Sequence, residues 1–205
     1  MTGATGFIGS YIVNKLKARG FRVGVFDIQP SSALPAFADA VSWFQGDITK
    51  IETILEVVEA FAPEVIIHLA GLLQYGCAKD PRNAVMVNTL GLSNVLEAAR
   101  INKVARFVTA SSAAVYGLEK KDTRENAPLP CDLTLYGATK FFGEVLSRQY
   151  TLNYDLETVN LRYFAVYGPG EVRSPGIAQV LMDMQKSATG KEVTISSVKS
   201  TDMLH

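Results

Sequence analysis

Short apolar runs alternate with stretches of helical periodicity along the chain. Ile8, Ile12, Leu16 and Arg19 recur along one side of a helix that ends near Gly20. Phe21 to Asp27 is a compact apolar run, the pattern of a strand buried on both faces. A Pro/Ser/Ala stretch from Pro30 to Phe37 separates it from a second short strand at Val41–Phe44. Ile51, Ile54, Leu55 and Val58 return to helical spacing up to Pro63, and Val65–Ala70 is again a buried strand. Pro81 stands at a helix start, with Val85, Leu92, Val95 and Leu96 along the apolar side. A strand at Phe107–Ala110, a helix over Tyr136–Tyr150 and a strand at Thr158–Phe164 follow. A helix near Ile177–Lys186 and a weak strand at Val193–Ile195 close the series. Strands alternating with helices make a parallel sheet covered on both faces, an α/β doubly wound fold.

Composition narrows the class. With 205 residues, 48% of them hydrophobic, the chain can bury a single sizeable core. Its 20 basic and 20 acidic residues cancel, so no strong field directs it to nucleic acid or an anionic membrane. No apolar run reaches the length of a bilayer span and no signal peptide opens the sequence, so a cytoplasmic protein is expected. Cys77 and Cys131 are too few and too far apart for a disulfide framework or a metal site; free thiols in loops are expected. His68 lies within a buried strand run and reads as structural.

Candidate chemistry begins at the first residues. Gly3, Gly6 and Gly9 form G-x-x-G-x-x-G directly before a helix. Such a turn brings backbone close to a pyrophosphate and aims a helix N-terminus at it. Three glycines alone are also what ordinary turns contain. Here the next strand ends in Asp27, 18 residues after Gly9, where a ribose-binding carboxylate is expected. The pattern therefore points to a dinucleotide, and an acid at Asp27 with no Arg or Lys in Ile28–Ser32 selects NAD over NADP.

Tyr136 and Lys140 stand at i and i+4 and share one face of their helix. An ammonium beside a phenol favours the phenolate, so Lys140 is expected to lower the Tyr136 pKa toward a base that moves a hydroxyl proton. Ser112 follows the preceding strand, at the sheet end where α/β sites form, and can hydrogen-bond the reacting oxygen.

These pieces, read together, resemble the extended short-chain dehydrogenase/reductase family, in its branch of NAD-dependent sugar-nucleotide epimerases and dehydratases. The matching segments are Thr2–Gly9, Asp27, Gly46-Asp47-Ile48, His68–Gly71, Asn88, Ser111–Gly117, Tyr136–Lys140 and Leu161–Phe164. The resemblance implies a Rossmann-type NAD-binding domain over residues 1–165 and the beginning of a substrate-binding region over 166–205. It implies that Gly3, Gly6, Phe7, Ile8 and Gly9 surround the pyrophosphate. Asp27, with Ile28 beside it, holds the adenosine ribose, and Asp47 and Ile48 flank the adenine. Leu69, Ala70, Gly71, Leu73 and Asn88 line the cofactor further on. Tyr136 and Lys140 meet the nicotinamide ribose, and Phe164 sits near the nicotinamide. Ser112, Tyr136 and Lys140 are the implied catalytic set. A homodimer is a possible assembly.

Two departures bear on the reaction. Dehydratases of this branch carry Asp-Glu after the catalytic Ser or Thr, where this chain has Ala113 and Ala114, so water elimination is not expected. Many members also have Asn where Ala165 stands, a side chain that helps bind the substrate diphosphate. The leading reading is an NAD-dependent epimerase or oxidoreductase acting on a hydroxyl of a sugar or nucleotide sugar. A simple alcohol dehydrogenase or carbonyl reductase is the second, and a non-catalytic dinucleotide sensor the third. Only Met1 precedes Thr2, and Thr201–His205 resembles the start of a further family segment. The sequence thus reads as a fragment lacking its first strand and most of its substrate region, with no activity expected from it alone.

Overall fold

The computed structural model describes residues 1–33, 41–119, 123–128 and 130–168. Backbone contacts divide the chain into two units, Met1–Tyr163 and Phe164–His205. The helix and strand expected beyond Ile177 lie outside the described residues.

The first unit carries α1 (Phe7–Ala18), β1 (Gly24–Asp27), β2 (Ser42–Gln45), α2 (Ile51–Phe61) and β3 (Val65–His68). After these come α3 (Gln74–Lys79), α4 (Pro81–Val85), a π-turn (Met86–Gly91), α5 (Leu92–Ile101), β4 (Arg106–Ser112), α6 (Leu135–Tyr154) and β5 (Glu157–Tyr163). All pairings are parallel: β1 with β2, β3 with β4, and β4 with β5. The first strand expected to be missing is represented by Met1–Gly3 alone. Thr2 bridges Phe26 on one side and His68 on the other. Thr2 N–H donates to Ile67 O at 2.9 Å and Gly3 N–H to Phe26 O at 3.2 Å. These bonds join the two sheets in the order β2-β1-(Met1–Gly3)-β3-β4-β5, the order of a doubly wound fold.

Alternate residues of the strands feed two cores. Phe26, Ile66 and Phe107 pack with Ile54 and Val58 of α2 and Val95 and Leu96 of α5. On the opposite face Val23 and Val25 pack with Ala4 and Val13, with Trp43 alongside. The buried side of α1 is therefore Gly9 and Val13. Of the expected Ile8, Ile12, Leu16 and Arg19 side, Leu16 packs against this core, Ile8 and Ile12 are half-buried and Arg19 is exposed; at Gly9 a glycine rather than a large side chain permits the close approach to the opening turn. The segment expected as one helix from Pro81 is interrupted by the π-turn. Asp80 caps its start by accepting from Asn83 N–H at 3.0 Å, with Pro81 at the first helical position.

Candidate active site

The strands end together at Asp27, His68, Ser112 and Tyr163, and the glycine turn passes over these ends. Gly3 adopts φ +70°, and a Cβ there would stand 2.5 Å from Ala70 N. Only glycine allows the turn to lie against the loop after β3. Gly9 is equally constrained, since a Cβ would run into Gly3 O and Ala4. Gly6 is the N-cap of α1 without a capping side chain. The first-turn N–H groups of Phe7, Ile8 and Gly9 thus have no acceptor within their own helix, the condition for anion binding. Asp27 is tied to this turn. Its Oδ2 accepts from Thr5 N–H at 3.0 Å and Thr5 Oγ1 at 3.1 Å, and its Oδ1 accepts from Gln29 N–H at 3.1 Å. Ile28 beside it is exposed.

Asp47 Oδ1 accepts from Thr49 N–H at 2.9 Å, shaping the loop after β2. Ile48 turns into the core, and its carbonyl accepts from Asn94 Nδ2 at 3.0 Å. After β3 the chain runs through Leu69, Ala70, Gly71 and Leu73, of which Gly71 and Leu73 are exposed. Asn88 holds this loop from beneath: Oδ1 accepts from Leu72 N–H at 2.7 Å, and Nδ2 donates to Leu72 O at 3.0 Å. Asn88 is itself buried and sits in the π-turn. The extra residue of that turn redirects its side chain, a common use of π-bulges.

Ser112 closes β4, and its Oγ accepts from Ala114 N–H at 3.2 Å, starting a short 3-10 helix over Ala113–Tyr116. Thr134 caps α6 by accepting from Gly137 N–H at 3.1 Å. In the first turn, Tyr136 meets Ser112 in a side-chain hydrogen bond. Lys140 Nζ donates to Ala110 O at 2.8 Å and lies 5.7 Å from the Tyr136 ring centroid. Burial lowers the Lys140 pKa to about 8. The expectation that Lys140 lowers the Tyr136 pKa is not met. Burial raises the phenol, and the hydrogen bond from Ser112 offsets this only in part. His68 is interior, hydrogen-bonded through Nδ1 to Thr2 Oγ1 at 2.8 Å, and burial lowers its pKa to about 3, as its structural reading requires. Among the described residues no cluster of His, Cys, Asp and Glu could hold a metal.

A family model described as the NAD dependent epimerase/dehydratase family matches residues 1–202. The chain belongs to this family. Protein CapI of Staphylococcus aureus is 32% identical over 183 residues, covering 82% of this chain and 54% of its own. UDP-glucuronate 4-epimerase 1 of Arabidopsis thaliana is 33% identical over 181 residues, 82% of this chain and 42% of its own. Among solved structures, the UDP-glucose 4-epimerase of Thermus thermophilus in complex with NAD matches with a TM-score of 0.80 at 32% identity. That match covers 94% of this chain and 63% of that one. The chain spans about half the length of the curated relatives it matches.

For a member of the epimerase/dehydratase family, the residues read from sequence fall into three groups. Ser112, Tyr136 and Lys140 converge. Gly3, Gly6, Phe7, Ile8, Gly9, Asp27 and the Leu69–Gly71 stretch form one rim above the strand ends. Asn88 and Ile48 instead sit inside and support that rim, and Phe164 lies exposed in the second unit. Cys77, expected in a loop, is in α3 and buried beside Asn88 Nδ2 at 3.4 Å. Three contributors were not read from sequence. Thr5 fixes Asp27. Glu144 accepts from Ser111 Oγ and, through both oxygens, from Arg162 at 2.9 and 2.7 Å. Arg162 also donates to Tyr116 OH at 3.0 Å. Glu144 stands one turn beyond Lys140 on α6. The Tyr136, Lys140, Glu144 spacing was the available signal.

Proposed function

We propose that this protein is an NAD-dependent epimerase acting at a hydroxyl-bearing carbon of a nucleotide sugar, of the UDP-sugar class for which its relatives are named. The observation that carries this is the convergence of Ser112, Tyr136 and Lys140 at the end of β4, beside a glycine turn. That turn fits a dinucleotide: α1 offers free N–H groups, Gly3 and Gly9 keep the backbone bare, and Asp27 stands at the ribose position. Gly3, Gly6, Phe7, Ile8 and Gly9 hold the pyrophosphate; Asp27 and Ile28 the adenosine ribose; Asp47 and the Ile48 backbone the adenine edge. Leu69, Ala70, Gly71 and Leu73 line the path to Lys140, with Asn88 supporting them. NAD supplies a hydride acceptor that can return the hydride. Tyr136 takes the proton of the substrate hydroxyl and gives it back. Ser112 donates to the same oxygen and fixes its position, and Lys140 holds positive charge behind the phenol.

A two-fold dimer is part of this reading. Val85, Met86 and Leu90 beside α6, and Phe142 and Val145 on α6, are large apolar side chains at least 40% exposed. We place the protein in the cytoplasm; no helix among the described residues is long and apolar enough to cross a membrane.

Turnover by the whole protein with NAD and UDP-glucose or UDP-glucuronate tests the function. The expected product is the C4 epimer, with no NADH accumulating. Tyr136→Phe should lower turnover roughly 10²–10⁴-fold and leave NAD affinity in place. Stoichiometric NADH release would make the protein a dehydrogenase instead, and full activity in Tyr136→Phe would remove the tyrosine from the mechanism.

A further inference from the structure

A row of polar side chains crosses the sheet beneath the candidate site. Thr2 bridges His68, His68 is in register with Thr109, and Thr109 with Asn160. Residues in register on neighbouring parallel strands project from the same face. The Asn160 end of this row opens on an internal cavity under α6. His68, Asn88, Thr109, Thr139, Lys140 and Asn160 are on its walls, and it leaves about 10 Å³ for the centre of a water molecule. That is the room of about one water, and a water is retained only where it finds two to four polar partners.

Partner accounting identifies which groups remain. Asn88 is satisfied by Leu72, and its Nδ2 also donates to Thr139 Oγ1 at 3.2 Å. Thr139 Oγ1 donates to Tyr136 O at 2.8 Å. His68 Nδ1 is paired with Thr2. Lys140 spends one N–H on Ala110 O and has two others. Asn160 Oδ1 is buried and has no protein partner. An orphaned buried carbonyl is costly, so a cavity lined by both this oxygen and an ammonium favours a bridging molecule that both accepts and donates.

We propose that this cavity is a binding site for a single ordered water, which accepts from Lys140 Nζ and donates to Asn160 Oδ1. Asn160 is thereby a positioning residue: it acts on Lys140 through the water and touches neither substrate nor cofactor. The bridge gives a buried ammonium a second oxygen besides Ala110 O, which stabilises its charged form. The other groups around Lys140 do not supply that role. On α3, Cys77 is a thiol whose pKa burial raises, and on β3, His68 is neutral. On α6, Tyr136 is a protonated phenol, and Glu144 is engaged by Arg162 of β5 and Ser111 of β4. The proposal deepens the role given to Lys140 above, yet the water itself is counted without any turnover.

The test compares wild type with Asn160→Leu, close in size and without a polar atom, and Asn160→Asp, which keeps the acceptor. Oxygen-17 relaxation dispersion of solvent counts long-lived buried waters. Wild type and Asn160→Asp should each hold one more than Asn160→Leu. Carbon-13 titration of the Lys140 side chain should show its proton affinity falling about tenfold in Asn160→Leu, one pKa unit, and not falling in Asn160→Asp. Equal water counts in wild type and Asn160→Leu, or a Lys140 titration unmoved by Asn160→Leu, would overturn the proposal. Should Asn160→Leu fail to fold, a wild-type crystal structure at about 1.5 Å decides: density for a water between Lys140 and Asn160 supports the site, and an empty cavity ends it. A wild type that holds the extra water but shows no epimerase activity would count against the catalytic reading and not against this one.

Discussion

Acidification should destabilise the protein through one interior imidazole. His68 is 4% exposed, stacks on Phe107 with ring centroids 6.0 Å apart, and has a pKa lowered from 6.5 to about 3 by burial and by the charge of Lys140. Its folded pKa lies below its unfolded one. The unfolded imidazole therefore takes up a proton that the folded one refuses. The stability tied to neutral His68 is complete above pH 6.5 and is lost as pH falls toward about 3. One pH unit inside that window costs about 1.4 kcal/mol, so the fall from pH 6.5 to 5 costs about 2 kcal/mol. That is a large part of the roughly 5–15 kcal/mol by which domains are stable. Urea unfolding followed by the fluorescence of Trp43, the chain's single tryptophan, at pH 7, 6, 5.5 and 5 measures it. His68→Gln should be less stable at pH 7, because the ring packing is lost, and its deficit should shrink by about 2 kcal/mol at pH 5. A wild-type-minus-variant difference that stays constant across this range would refute the buried-neutral account of His68.

Two further outcomes follow from contacts already described. Glu144 and Arg162 are only 13% and 21% exposed in their side chains. Removing one partner of a buried pair costs about 3–5 kcal/mol; with Arg162 still bonded to Tyr116 and partly hydrated, Glu144→Gln should cost about 2–3 kcal/mol. A double-mutant cycle with Arg162→Met in urea should return a coupling above about 1 kcal/mol, and a coupling near zero would show that the pair contributes nothing. Sedimentation velocity should find wild type as a dimer, and Leu90→Lys or Val145→Lys as a folded monomer. A wild type that is monomeric at tens of micromolar contradicts the assignment of that helical surface.

Much of the framework is legible in the sequence because its signals are local. Val65–Ala70 and Phe107–Ala110 are short apolar runs between polar stretches, and strands form there over Val65–His68 and Arg106–Ser112. The spacing of Gly9 and Asp27 places the acid at the end of the strand that passes the glycine turn. What escapes depends on tertiary contact. Nothing in Met86–Gly91 announces a π-turn, and the helical period runs through it; the extra residue is visible only once Asn88 reaches Leu72. Gly9 breaks the expected periodicity of α1 because the closest approach uses the smallest residue, which a pattern of large apolar positions overlooks. Cys77 reads as a loop residue because α3 is only six residues long, too short for periodicity to register.

The sign of the Tyr136 shift departs from the spacing argument for a reason that bears on the chemistry. Spacing alone shows an ammonium one turn from a phenol, and that pair predicts a depressed phenol pKa. The folded site adds burial, which acts on both groups toward their neutral forms: it raises Tyr136 and lowers Lys140 to about 8. At pH 7 Lys140 is still charged and Tyr136 still protonated, so the resting pair is set to donate a proton. To accept one, the phenol needs additional stabilisation of its anion. Lys140 is committed to Ala110 O on one side, and the Ser112 hydroxyl already bonds the phenol. Gly71 lies beside the ammonium, where a Cβ would stand 3.7 Å from Lys140 Nζ. The spacing argument fails in sign because it counts the ammonium and leaves out the desolvation that acts on both partners.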